Sequence, residues 1–386
     1  MPQRQKRHFP KADRHRIPEE HAEDYAGWGA LRTRARGRGA VSNAAGRYES
    51  HGALPIDDGW QTLEDVLPRL QTEIIPETPR KAITYNTSPD ISFDRTINPY
   101  RGCEHGCIYC YARPNHAYSG MSAGIDFETR IFAKRGLAAL LERELSKPRY
   151  RPRTVVIGGD TDAYQPAEKD RRITRDVLET LSRANHPLGI VTKSALVLRD
   201  LDILEPMAKK GLVRVAVSLT SLDPQLSRKL EPRAAAPHRR LDTIRALSAA
   251  GVPVTVMTAP IIPAINDMEI EALLTEASNA GAITAGYVLL RLPHEIAYLF
   301  EEWLEHHFAD RKSKVMKLMR DMRDGADYQS EWGVRQRGTG PYAKLIAQRF
   351  RNACRRVGLE RPGLSLRTDL FTPPTDDTDS CQMDLF

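Results

Sequence analysis

The sequence is poor in cysteine: five in 386 residues, three of which, Cys103, Cys107 and Cys110, fall within eight positions. It also lacks an apolar segment near its start, where "MPQRQKRHFPKADRHRIPEEH" carries charge but no hydrophobic stretch of the kind that directs export. A disulfide framework is therefore not expected. In a reduced, cytoplasmic setting a tight cysteine cluster points to a metal or catalytic site. Long hydrophobic runs are missing too. The most apolar segment, "VPVTVMTAPIIPAI", is 14 residues long and interrupted by three prolines, too short and too broken to span a bilayer. No repeat of fixed period runs through the chain.

What the sequence does contain is unevenly placed charge. The formal net charge is +7, yet residues 1–40 carry ten Lys/Arg against five Asp/Glu and residues 311–357 carry 13 against four. The body between them is close to neutral. Two basic segments on a neutral body suggest a polyanionic partner, nucleic acid first.

Residues 1–50 mix Arg, Gly, His and Pro without periodicity and read as a disordered basic arm, followed by a partly ordered lead-in over 51–88. From 89 to 310 the pattern alternates. Six β-branched runs ("SFDRTIN", "TVVIGG", "LGIVTKS", "VRVAVSLTS", "VPVTVMTAP", "AGYVLLRLP") are separated by helical candidates near 127–146, 168–184, 199–210, 236–250, 267–280 and 294–307. Strand–helix alternation of this kind predicts a parallel sheet covered on both faces, an α/β fold. Residues 311–360 read as a basic helical extension with two apolar stripes. One is Val315, Leu318, Met319 and Met322; the other is Tyr342, Leu345, Ile346, Phe350, Cys354 and Val357. Residues 361–386 read as a flexible acidic tail ending in "QMDLF".

The spacing Cys103-x3-Cys107-x2-Cys110 puts three thiolates on one loop at the end of the first strand, with Gly102 and Gly106 to let the loop wrap. Zinc sites usually complete a tetrahedron with four ligands, often as two separated pairs. Here a fourth would have to be His105 or His116. Iron–sulfur cubes are held by thiolates, and three protein ligands leave one iron open to a substrate.

This motif, with Tyr109 before its third cysteine, resembles the signature of the radical S-adenosylmethionine (radical SAM) superfamily, and the likeness covers about 89–310. The resemblance implies an incomplete (β/α)6 barrel of TIM type. It also implies one [4Fe–4S] cluster on Cys103, Cys107 and Cys110, and S-adenosylmethionine chelated at the open iron. An electron donor such as flavodoxin or ferredoxin would drive reductive cleavage to a 5′-deoxyadenosyl radical. It further implies cofactor contacts from Tyr109, from Gly158, Gly159 and Asp160 ("GGD" where the family has Gly-Gly-Glu), and from Thr192, Lys193, Ser218, Ile262 and Arg291.

"RTINPYRGCEHGCIYCYARPNHAY", "DTDAYQPAEK" and "SLTSLD…RKLEPRAAAPHRRL" are similar to the spore photoproduct lyase-like, or DNA repair photolyase-like, group. In the lyase a cysteine near the end of the second strand returns a hydrogen atom to substrate. No cysteine occurs here between 111 and 353, so Tyr111, Tyr164 and Cys354 stand as the candidates for that role. Glu231 and Arg233 are further candidates for lining the pocket.

The six cations of "RKSKVMKLMRDMR", with Trp332, Arg335 and Arg337 beyond them, suit phosphates and bases. DNA is favoured over RNA. The "QMDLF" ending resembles a sliding-clamp docking peptide, with Gln382, Leu385 and Phe386 as anchors. The rival expectations are an RNA- or peptide-modifying radical enzyme and a non-catalytic adaptor that keeps the cluster for structure.

Overall fold

The computed structural model describes residues 37–44, 47–48, 70–360 and 364–374. Ten strands run in chain order among them: β1 (Glu73–Glu77), β2 (Thr84–Tyr85), β3 (Arg95–Ile97), β4 (Tyr100–Arg101), β5 (Arg130–Lys134), β6 (Val155–Ile157), β7 (Leu188–Thr192), β8 (Val213–Ser218), β9 (Val254–Ile261) and β10 (Thr284–Leu289). The helices are α1 (Ile125–Thr129), α2 (Leu137–Leu145), α3 (Glu168–Arg171), α4 (Ile173–Arg183), α5 (Leu201–Lys209), α6 (Pro224–Leu230), α7 (Pro237–Ala249), α8 (Ile270–Asn279), α9 (Ile296–Asp321) and α10 (Gly340–Val357).

The main sheet has the order β10-β9-β8-β7-β6-β3-β2. Its six strands from β3 to β10 pair in parallel, and β2 is added antiparallel at the edge. These six strands fall on the six β-branched runs. The register sets Val155 opposite Leu188, and Leu188 opposite Val213, so apolar residues stack across the layer. Strands such as "VVI", buried throughout, are what a parallel sheet covered by helices requires. The result is an α/β fold with mixed sheets, consistent with a partial TIM-type barrel. A three-stranded sheet, β1-β5-β4, lies alongside; β5 interrupts the helix expected over 127–146.

Several boundaries differ from expectation. Residues 37–44, inside the expected disordered arm, pack on the body: Ala40 and Ser42 are fully buried. The acidic tail is likewise docked over part of its length. The amide of Arg367 donates to Gly211, Phe371 packs edge-on against His186, and the Pro374 carbonyl accepts from Ser146. The first C-terminal apolar stripe is found on α9, where Val315 and Met319 are buried, after a kink at Phe308. On α10 the stripe is corrected: Leu345 is exposed, and Ala343 and Ala353 join Ile346, Phe350 and Cys354 inside, where a helix against a helix needs small residues. Gln382, Leu385 and Phe386 lie outside the described residues. No helix of the described residues is long and apolar enough to cross a membrane.

Candidate active site

The cysteine loop leaves β4 through Gly102 (φ +77°) and turns again at Gly106 (φ +67°), a left-handed conformation that glycine adopts without strain. Space forbids a side chain at either position. A Cβ on Gly102 would lie 3.0 Å from the carbonyl oxygens of Phe127 and Arg130, and one on Gly106 would lie 2.7 Å from the Glu128 carboxylate. Cys103 and Cys107 are buried and Cys110 half-buried. The Cys103 amide donates to Phe127 at 2.9 Å, and that of Cys110 to the carbonyl of Cys107 at 3.2 Å.

Arg113, fully buried, gathers carbonyls of the loop and of the turn before α1. Its guanidinium donates to Cys107 at 2.9 Å, Gly106 at 3.2 Å, and Ala123 and Gly124 at 3.0 Å each. Its charge is met by Glu128, also fully buried. The same carboxylate accepts from the amides of Gly39 and Ala40, both at 2.8 Å, while Arg38 donates to the Glu128 carbonyl at 2.8 Å. The N-terminal segment is thus a strap over the cysteine loop. A Cβ on Gly39 would stand 1.7 Å from the Gly106 oxygen, so only glycine lets the two backbones touch.

The C-terminal ends of β6 to β10 converge on this loop. Lys193 follows β7 and donates to Ser218, the last residue of β8, at 3.2 Å. Its ammonium lies 5.8 Å from the centre of the Tyr109 ring. The Tyr109 hydroxyl donates to Glu231 and sits 3.4 Å from Thr220, which itself donates to Glu231 at 2.7 Å; Arg240 completes the group by pairing with Glu231. Burial opposes the charge of Glu231, but Arg240 and Lys193 override it and hold the carboxyl at about 2. Thr192 and the Lys193 amide donate to Asp162 at 2.8 and 2.7 Å. Ile262, buried after β9, is pinned through its amide to Asn266 at 2.6 Å.

At the end of β6, Gly158 adopts φ +83°, and a Cβ there would lie 2.3 Å from the Val191 oxygen. Tyr111, next to Cys110, donates to the Gly159 carbonyl, and the Arg291 guanidinium lies over its ring at 4.8 Å. Asp160 accepts from Asn115 at 3.0 Å, and burial pushes its carboxyl up to about 6.

Two candidates lie elsewhere. The Tyr164 hydroxyl is fully buried and donates to Asp200 at 3.0 Å, at the start of α5. Cys354 is buried on α10, which packs against α8 and not over the cysteine loop. Arg233 pairs with Glu104 at 3.1 Å instead of facing Glu231's group. His105 lies 3.3 Å from Asp162, and His116 is packed edge-on by Phe127 and Phe132. Among the described residues no three His, Cys, Asp or Glu side chains converge as a single ion requires, so a zinc loop completed by His105 or His116 has no geometry here. A cube makes no such demand, since each thiolate meets a different iron.

The Radical SAM superfamily model matches residues 97–277. An uncharacterised protein of Mycobacterium tuberculosis is 37% identical over 285 residues, covering 69% of this chain and 82% of the relative. The chain belongs to the radical SAM superfamily. An uncharacterised protein of Methanocaldococcus jannaschii is 29% identical over 197 residues, 51% of this chain and 71% of its own length. In fold, this radical SAM protein is similar to spore photoproduct lyase. A mutant of that enzyme solved with bound AdoMet and dinucleoside spore photoproduct superposes with a TM-score of 0.54 at 16% identity, over 74% of this chain and 79% of the other.

Radical SAM proteins use a [4Fe–4S] cluster and S-adenosylmethionine and draw electrons from a reductant. The residues present fit both cofactors: soft thiols on a loop wrapped by two glycines, and a cationic, hydroxyl-rich floor at Lys193 and Ser218 beside it. Sequence reasoning missed Arg113, Glu128, Asp162 and Arg240. A buried charged residue looks like a surface one in a sequence, and only its partner, found in space, reveals it.

Proposed function

We propose that this radical SAM protein is an enzyme built on an incomplete (β/α)6 barrel, that it cleaves S-adenosylmethionine reductively, and that it acts on nucleic acid, DNA before RNA, in a repair reaction. The observation that carries the reading is the placement of the cysteine motif's Tyr109 against Glu231, Thr220 and Lys193, the last two beyond the ends of parallel strands β8 and β7. In this reading Cys103, Cys107 and Cys110 hold the cluster. When bound, the cluster would supply one-electron reducing chemistry toward the sulfonium of S-adenosylmethionine.

The chain's own residues bind and orient. Lys193 is a fixed cation for a carboxylate, with Ser218 and Thr192 as hydroxyl partners. The Gly158–Gly159 backbone and Asp160 receive an amino group, and Ile262 packs on the adenine. Glu231, kept ionised by Arg240, fixes the Tyr109 ring against the loop and excludes water from that side. Tyr111, the exposed phenol nearest the cysteine loop, is the hydrogen relay of this reading; Tyr164 and Cys354 are set aside because both are buried and the Tyr164 hydroxyl is committed to Asp200.

The nucleic-acid substrate is supported by the two basic segments and by the strap, whose Arg38 donates to Glu128 beside the cysteine loop. A small ferredoxin or flavodoxin supplies electrons. The test is anaerobic reconstitution followed by product analysis with irradiated DNA, undamaged DNA, tRNA and a peptide in parallel. Altered thymine photoproducts in the first arm support repair. Turnover confined to tRNA or peptide overturns it.

A further inference from the structure

Between α9 and α10 the chain runs irregularly over residues 322–339 and is stitched to the end of β10. The Leu289 amide donates to Gln336 at 2.9 Å, and Arg323 donates to Leu290 at 2.7 Å and to Arg335 at 3.0 Å. Arg323 is fully buried, and its Nε has no hydrogen-bond partner. Burial and the neighbouring Arg291 cation together push it down to about 10. No carboxylate within salt-bridge distance is found for either Arg323 or Arg291 among the described residues. The nearby Asp90 is already taken: it pairs with Arg335 and accepts from the Gly333 amide at 2.6 Å.

A buried cation without a counter-charge is costly unless an anion joins it. Two half-exposed aromatics are tied to this pair, Tyr111 through Arg291 and Trp332 through Arg335, whose carbonyl accepts from Arg323. Trp332 is 51% exposed, with the Arg335 guanidinium over its ring at 4.0 Å; Tyr111 is 45% exposed, with Arg291 over its ring at 4.8 Å. In each case a guanidinium covers one face and solvent reaches the ring. Tyr111 adjoins Cys110, so the row runs from the cysteine loop outward.

We propose that the half-buried Arg291, backed by the buried cation of Arg323, forms a phosphate subsite, with Trp332 and Tyr111 as stacking surfaces, that seats an unpaired stretch of nucleic acid beside the cysteine loop. This rests on the nucleic-acid reading above. An unpaired strand is required because a base within a duplex has no free face for an aromatic ring. Arg335, locked by Asp90 and Ser88, acts as a positioning residue for Trp332. The inference moves Arg291 from the cofactor to the substrate.

The test measures binding of a short fluorescein-labelled oligothymidylate, and of S-adenosylmethionine, to the anaerobically reconstituted protein across a salt series. Trp332→Ala should weaken the oligonucleotide roughly tenfold with the salt slope unchanged, as loss of one stacked base implies. Arg291→Gln should flatten the slope by about 0.7, one phosphate on a single strand. Both variants should bind S-adenosylmethionine as the native protein does, and Arg291→Lys should restore most of the slope. If the native protein binds the oligonucleotide and both variants bind it equally well, the subsite is wrong while the nucleic-acid reading stands. Loss of S-adenosylmethionine with oligonucleotide binding intact in Arg291→Gln returns that residue to the cofactor and overturns the inference. No binding of any nucleic acid by the native protein removes the substrate reading and this subsite with it.

Discussion

Glu128→Gln isolates the device that holds the cysteine loop. Glu128 and Arg113 are both fully buried, and the carboxylate also receives two backbone amides of the strap. Glutamine keeps the shape but removes the charge and turns one acceptor into a donor. Arg113 is left as a buried cation whose remaining partners are carbonyls. Breaking a buried pair from one side costs about 3–5 kcal/mol, a large part of an ordinary domain's stability. At roughly 2–4 °C per kcal/mol for a large domain, the melting temperature should fall by about 10 °C. The assay is thermal unfolding of the cluster-free protein, followed by iron content after anaerobic reconstitution, which should also fall because the Arg113 clamp on the loop loses the carboxylate that anchors it. The double variant Arg113→Gln with Glu128→Gln should recover part of the loss, giving a coupling of at least about 1 kcal/mol. A melting temperature within about 2 °C of native, with full iron content, would refute the argument that this pair holds the site.

Three further outcomes follow from the same geometry. Replacing any one of Cys103, Cys107 and Cys110 with alanine should abolish the brown absorbance near ~400 nm on reconstitution while leaving the protein folded, and undiminished iron in the triple variant would be the contrary result. Gly39→Ala should detach the strap, at a cost of about 3–6 kcal/mol for two charge-assisted bonds, and should speed bleaching of the cluster in air; both are read by unfolding and by the decay of that band. Burial holds His116 and His186 near 4, below their ordinary 6.5, so the unfolded chain binds the extra protons. Stability is complete above pH 6.5 and lost as pH falls toward 4, by at most about 3 kcal/mol per histidine, and a His116→Gln variant should show a shallower decline in a pH series of melts.

The sheet was legible because its strands are short apolar runs at regular intervals, and buried parallel strands have no other way to be written. The cysteine loop was legible because its chemistry is local: three ligands and two glycines within nine residues, 102–110. The strap was not. Its bonds join Gly39 and Ala40 to Glu128 across almost ninety positions, and nothing in a stretch rich in Arg and Gly announces a fixed partner. β5 was hidden for a similar reason: "RIFAK" between two helices continues an amphipathic pattern, and only its pairing with β1 and β4 makes it a strand. Leu345 shows the limit of periodicity, because α10 packs on α8 with Ala343 and Ile346 buried, which leaves the leucine one position away in solvent. The polar residues at the strand ends could be located from the sequence, but their partners, such as Asp162 for Thr192, could not.

The most direct test of the central claim is chemical. The reconstituted and reduced protein should convert S-adenosylmethionine to 5′-deoxyadenosine and methionine, measured by chromatography with mass detection. The Cys103→Ala, Cys107→Ala, Cys110→Ala triple variant should form neither. Formation of a full cluster that never cleaves S-adenosylmethionine, with any reductant and any of the candidate substrates, would make the cluster a structural part of a non-catalytic protein and contradict the account.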